Sequence, residues 1–255
     1  MLCKQALEIY SSTHSNHLVS LSNLANALQS QFEQTGQLND LYDSISFYRQ
    51  ALGLCPPSHP HQFITLSDLA IALLTQFQQE GRQNDLDNSI SLQKQALELC
   101  PPYHSNHARS LNGLANALQV RFQQGGQQKD VDDSFDLYRQ ALELCPPHHP
   151  NRSTSLHNLA IALQIQFDQG GHKNDLEASI SLYRQALELR SLPHPDRSST
   201  LNNLALALQT QFEQGGQTND LDDSISLHRQ ALELRPLHHL KRSSTLNNLA
   251  IALQI

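Results

Sequence analysis

The residues in this chain best equipped for chemistry are its fourteen histidines. Six of them, His14, His59, His104, His149, His194 and His239, are spaced 45 residues apart without exception. His17, His61, His107, His148 and His238 lie close by. Imidazole is both a proton carrier near neutral pH and a common metal ligand. Zinc, however, needs three or four ligands converging at about 2 Å. A residue repeated once per structural unit spreads its rings along the molecule and does not focus them. The tight pairs His148–His149 and His238–His239 supply two ligands each, too few to hold zinc well. The expectation is that this histidine packs or hydrogen-bonds in the same way at six equivalent turns, with no metal and no cofactor bound.

The other reactive residue types follow the same logic. Cys55, Cys100 and Cys145 share one repeat position, and Cys3 stands apart. Neighbouring helices pack about 8–10 Å apart, whereas a disulfide needs Cα atoms within about 7 Å. Free thiols in a reducing compartment are expected, hence an intracellular, cytoplasmic location. Adjacent carboxylates such as Asp222 and Asp223 fall at the start of a predicted helix, where the dipole explains them. The Gly-Gly pairs at 125–126, 170–171 and 215–216 follow helices, so they cap carbonyls and do not cradle phosphate. No nucleophile elbow, phosphate loop or zinc-protease motif occurs. No enzymatic activity is expected.

The elements that position these residues are set by a longer repetition. Leu-x-x-Leu-Ala-x-Ala-Leu begins at Leu21, Leu66, Leu111, Leu156, Leu201 and Leu246. A period in this range marks a solenoid, in which each unit buries its apolar face only against its neighbours. In the fifth copy, Leu201, Leu204, Ala205, Leu208 and Phe212 form the stripe of an amphipathic helix A over about 196–214. Asp220 is expected to cap helix B, which carries Leu221, Ile225, Leu227, Ala231, Leu232 and Leu234 and stops at Arg235-Pro236. No segment alternates with period two, so no sheet is expected. Residues 1–255 read as one array with repeats starting near 17, 62, 107, 152, 197 and 242. It is expected to be truncated at both ends, and the raw ends could pair with another copy.

Apolar residues make up only 38% of the chain, which suits an elongated array with much wet surface. The net charge of -7 disfavours nucleic acid, whose phosphates need a basic face. No apolar run approaches the roughly 18 residues of a membrane span.

The units resemble tetratricopeptide repeats. Leu201, Leu204, Ala205 and Leu208 match the family's helix A. Ser224, Ile225, Ala231, Leu232, Glu233, Leu234 and Pro236 match its helix B, with Arg229-Gln-Ala-Leu-Glu-Leu-Arg-Pro close to the family signature. The usual unit is about 34 residues; here it is longer, which implies extended helices A ending on Phe32, Phe77, Phe122, Phe167 and Phe212. The resemblance implies an all-α, right-handed superhelical solenoid of antiparallel helix pairs, about twelve helices in all. It also implies a non-catalytic scaffold that binds a protein or peptide on its concave helix-A face. Long-unit arrays of this composition resemble those of large fungal proteins, where they flank CHAT or nucleotide-binding switch domains. The alternative reading is therefore a sensor or oligomerisation arm of a larger signalling protein.

Helix-A residues off the core stripe form the candidate groove. They are Asn112, Asn116, Gln119, Ile161, Gln164, Ile165, Asn202, Leu206, Gln209, Asn247 and Ile251. The amides could satisfy the backbone of an extended peptide, and the apolar residues could seat a helix face. The Ile/Leu column could equally be core. Only Arg109 and Arg121 approach this groove, which argues against a clamp for a peptide's terminal carboxylate. The acidic balance favours a neutral or basic partner.

Overall fold

The computed structural model describes residues 15–56 and 59–255. His14 and Cys3 lie outside them. The described residues form eleven helices and no strand. Helices A are α1 (Ser15–Thr35), α3 (Gln62–Glu80), α5 (His107–Gln123), α7 (Arg152–Asp168), α9 (Arg197–Glu213) and α11 (Arg242–Ala252). Helices B are α2 (Leu38–Leu54), α4 (Gln83–Leu99), α6 (Gln128–Glu143), α8 (Lys173–Leu189) and α10 (Thr218–Glu233).

The chain divides into two compact units, Met1–Leu137 and Tyr138–Ile255. In both, the larger core clusters join a helix A, its own helix B and the next helix A. In the first unit, Ala25, Phe32, Leu41, Ile45, Tyr48, Leu69 and Leu73 link α1, α2 and α3. Leu74, Phe77, Leu86, Ile90, Leu114 and Leu118 then link α3, α4 and α5. In the second unit, Ala160, Leu176, Ile180, Tyr183, Leu204 and Leu208 link α7, α8 and α9. Burial at about 25 cal/mol per Å² is thus largely shared between repeats, and smaller clusters such as Phe63, Leu66, Ala96 and Cys100 lie within one helix pair.

Small residues set the close approach within a pair. Ser89 Oγ donates to the Ala70 carbonyl at 2.8 Å, and Ser224 Oγ donates to that of Ala205 at 2.8 Å. A larger side chain at either serine would push helix B away from helix A.

The stops are of two kinds. α3 ends at Gly81, whose φ of 71° is left-handed and whose N–H donates to Phe77 at 2.7 Å. α9 ends on Gly215 (φ 88°) followed by Gly216, whose N–H donates to the Gln211 carbonyl at 3.0 Å. A Cβ on Gly216 would stand 2.6 Å from that carbonyl oxygen, so both glycines of the pair are required. Asp220 is not the residue before helix B, as the capping argument expects, but the third residue within it. Its carboxylate accepts the Gln217 N–H at 2.9 Å, which caps the start of α10 from inside. Asp175 does the same for His172 at 2.9 Å.

Candidate functional site

The repeated histidine closes the turn between helix B and the next helix A. Nδ1 of His59, His104, His149, His194 and His239 each accepts the backbone N–H two residues on, at 3.1–3.2 Å. The acceptor role requires Nδ1 to be unprotonated. Five equivalent rings are therefore used one per turn.

The side chains above those turns differ along the chain. In the second repeat, Cys100 is buried with Phe63, Leu66 and Ala96, and Phe63 meets His104 edge-on at 4.9 Å. In the fourth, Arg190 fills the same place and is only 1% exposed. Its guanidinium donates to Ser153 Oγ at 3.4 Å, Thr154 Oγ1 at 3.4 Å, the Asp196 carbonyl at 3.4 Å, and Thr200 Oγ1. In the fifth, Arg235, 2% exposed, donates to Ser198 Oγ at 3.3 Å, Ser199 Oγ at 3.4 Å, the Lys241 carbonyl at 3.1 Å, and Thr245 Oγ1. Burial lowers both arginine pKa values. Asp196 is the nearest carboxylate to Arg190, at 3.9 Å; Arg235 makes no ion pair among the described residues.

A second arginine closes each of these turns from outside. Arg197 Nη1 donates to the Arg190 carbonyl at 2.6 Å and to that of Leu187 at 3.1 Å. Arg242 does likewise for Arg235 and Leu232. A cation at the carbonyl end of a helix offsets its dipole.

These arginines were missed by the repeat argument, which read Arg235 as a helix stop. A signal was present. Leu176, Ser179, Ile180, Tyr183, Ala186 and Arg190 fall on one helical stripe, and the first five are buried. By the same stripe the column Tyr48, Gln93, Tyr138, Tyr183 and His228 belongs to the core, and all five are buried. Leu234, expected in the helix B core, is instead exposed, as are Leu54, Leu99, Leu144 and Leu189.

The candidate groove residues fall into three groups. Asn112, Gln119 and Gln209 are buried. Asn112 Nδ2 donates to the Ala108 carbonyl at 2.9 Å, and Gln209 Nε2 to Glu213 at 3.0 Å. Asn116, Ile161, Gln164, Ile165, Asn202 and Leu206 are half-buried, while Asn247 and Ile251 are exposed. Gln164 Oε1 accepts the Tyr183 hydroxyl at 3.3 Å, and Asn202 Oδ1 accepts Asn248 Nδ2 at 3.3 Å across α9 and α11. Ile161 packs against the α7–α9 core cluster. The amides are thus largely engaged within the fold, and the apolar column keeps one flank open. Arg109 pairs with Asp68 at 2.6 Å, and Arg121 with Asp130 at 2.5 Å, so neither cation is free to hold a partner's carboxylate. Asp130 is held below its usual range by that guanidinium.

Two buried imidazoles belong to the second unit. Nδ1 of His157 lies 3.2 Å from Thr200 Oγ1, and its ring meets Tyr183 edge-on at 5.5 Å. Burial and then the charge of Arg190 push its pKa down to about 3. His228 takes the place that Tyr183 has in the previous repeat. Neither of its nitrogens finds a hydrogen-bond partner among the described residues, and burial lowers its pKa to about 4. Gln209 Oε1, in the register of the Gln164 oxygen that accepts Tyr183, is also buried without a partner.

Helix pairs that share cores with the next pair, closed by a repeated turn, define a helical-repeat protein of the solenoid class. The tetratricopeptide repeat profile matches residues 17–61, 152–196 and 197–239, just over half of the chain. The chain belongs to the tetratricopeptide repeat family, whose members serve as protein-interaction scaffolds. Solved structures agree on the fold. The thermophilic TPR protein TTC0263 of Thermus thermophilus is 14% identical, with a TM-score of 0.64 over 93% of this chain and 100% of that one. Nearly identical TPR-like repeats described as a kinesin light chain of Podosopora anserina are 19% identical, with a TM-score of 0.56 over 85% and 97%. BtubC from P. vanneervenii is 18% identical, with a TM-score of 0.52 over 93% and 82%. No curated protein matches the chain. No helix among the described residues is long and apolar enough to cross a membrane.

Proposed function

We propose that this chain is a non-catalytic scaffold that binds a protein or peptide on the exposed flank of its helices A. The observation that carries this is the column Ile161, Leu206 and Ile251. These residues take one register position on α7, α9 and α11, are apolar, and are half-buried or exposed. An apolar strip held on packed helices is ordered before a partner arrives, which lowers the entropic cost of binding. Asn116 occupies the same register on α5 in the first unit, and Ile165 and Asn247 flank the strip in the second. The chain's acidic balance favours a neutral or basic partner there. Free Cys55, Cys100 and Cys145 fit a reducing, intracellular setting. The unbroken 45-residue period supports reading residues 1–255 as one array.

The test uses peptides selected by phage display on the intact chain. Leu206→Asp and Ile251→Asp should lower their affinity by about a hundredfold, roughly 2.7 kcal/mol, with helical content by circular dichroism unchanged. Retained binding, or melting of the array in place of lost binding, would refute the reading.

A further inference from the structure

Tyr48, Gln93, Tyr138, Tyr183 and His228 hold one register on helices B, and the polar groups around that register change with the residue in it. The Tyr48 hydroxyl donates to Gln29 Oε1 at 3.2 Å, and that of Tyr183 to Gln164 Oε1 at 3.3 Å. Asn203 also bonds the Tyr183 hydroxyl. The second repeat has no phenol, and its surroundings differ to match. Leu74 stands in the register of Gln29 and Gln164, and Gly113 in that of Asn203. Gln93 instead accepts from Ser67 Oγ at 3.2 Å and donates to the Ser67 carbonyl at 3.3 Å. A Cβ on Gly113 would stand 2.3 Å from Gln93 Nε2, so the glycine makes room for the amide. Neither Leu74 nor Gly113 brings a polar side chain that could be left over.

The fifth repeat breaks this match. His228 replaces the phenol, yet Gln209 and Asn248 keep the registers of Gln164 and Asn203. An imidazole lacks the para carbon and hydroxyl of tyrosine, so its ring ends short of the point where Tyr183 meets Gln164. His228 is 0% exposed and Gln209 8%. Both ring nitrogens and Gln209 Oε1 lack a hydrogen-bond partner among the described residues, although Gln209 Nε2 donates to Glu213. Buried polar groups are nearly always paired, with protein or with ordered water. We propose that a single buried water binds here in place of the tyrosine hydroxyl, accepting the His228 Nε2–H and donating to Gln209 Oε1. The difference between the two rings, one carbon and one hydroxyl, is about the size of one water. Such a water needs two to four polar partners, and Asn248, half-buried in the register of Asn203, offers a third. With the ring proton on Nε2, Nδ1 is a bare acceptor, so no imidazole N–H is buried unpaired. An apolar occupant would leave both His228 and Gln209 unpaired.

The test is a crystal structure of the full chain near neutral pH, at a resolution that orders buried waters. One water should lie about 2.7–3.2 Å from both a His228 nitrogen and Gln209 Oε1. His228→Tyr, which copies Tyr183, should expel it and place the phenol oxygen on Gln209. Gln209→Leu, which copies Leu74, should lose the water's density as well. A direct His228–Gln209 hydrogen bond, a dry contact between them, or Gln209 turned out to solvent would overturn the proposal. So would a water that persists in either variant. Nuclear magnetic resonance supplies a check free of crystals. Magnetisation transfer from water to the ring protons of His228 should appear in the native chain and vanish in Gln209→Leu. Its absence from the native chain would overturn the proposal, whichever face of the array a partner uses.

Discussion

The turn after α4 and the turn after α8 share one backbone plan but are filled by opposite chemistry. In the first, Cys100 packs on Phe63; in the second, Arg190 bonds Ser153. The partners change together along the chain: Leu18 with Cys55, Phe63 with Cys100, Ser153 with Arg190, and Ser198 with Arg235. A buried guanidinium costs several kcal/mol in desolvation. It is tolerated where hydroxyls and carbonyls accept most of its five donors. An apolar plug needs none of this and gains from area alone. The turn is therefore not specified by one residue, but by a pair in helix A and helix B that must agree in polarity.

The strongest challenge to that pairing is to mismatch it. Cys100→Arg would bury a charge against Phe63 and should destabilise the chain by about 3–5 kcal/mol in urea unfolding. Adding Phe63→Ser should recover part of that loss. No recovery would show that the two residues are not a unit. The reverse exchange is milder. Arg190→Cys takes the guanidinium from Ser153 and Thr200 and opens a cavity, at about 3 kcal/mol; adding Ser153→Ala, which removes the hydroxyl left behind, should restore about half.

Acid sharpens the contrast between the units. His157 sits where the first unit has Ser22, Ser67 and Asn112, and His228 where it has Tyr48 and Gln93. Their folded pKa values of about 3 and about 4 lie below the ordinary value of about 6.5. The folded state therefore binds fewer protons than the unfolded one. Stability is full above about pH 6.5 and falls as pH drops toward the folded values, by about 1.4 kcal/mol per pH unit for each ring. At about pH 5.5 the loss should reach about 2–3 kcal/mol. Hydrogen exchange should show it in α7–α10 ahead of α3–α5, and His228→Tyr should reduce it. Uniform loss over both units would contradict the assignment.

The smallest effect tests what the regions have in common. His104→Ala and His194→Ala each remove one turn hydrogen bond, worth about 1 kcal/mol. Thermal melts should show a similar loss from the turn bond at both, with a small further loss at His104, whose ring also meets Phe63.

Much of this was legible in the linear pattern. The 45-residue period, the Leu/Ala stripe and the glycine stops place every described helix, because helix periodicity and capping are local. The histidine's role was also readable, since its acceptor contact spans two residues. The arginine plugs were not. Arg at a helix end ordinarily reads as a solvated charge facing the dipole, and among its acceptors Ser153 and Ser198 lie 37 residues back along the chain. The candidate groove was legible only in part. Periodicity assigned Ile161, Leu206 and Ile251 to one flank, but could not reveal that Gln164 turns inward to Tyr183.

Sequence alone thus determined the class of fold and the turn histidines, which depend on contacts within a few residues or on strict periodicity. Only the tertiary structure decided which polar side chains are buried and which leucines are left outside. Burial depends on what the next repeat places opposite, and that is a property of stacked helices, not of any one of them.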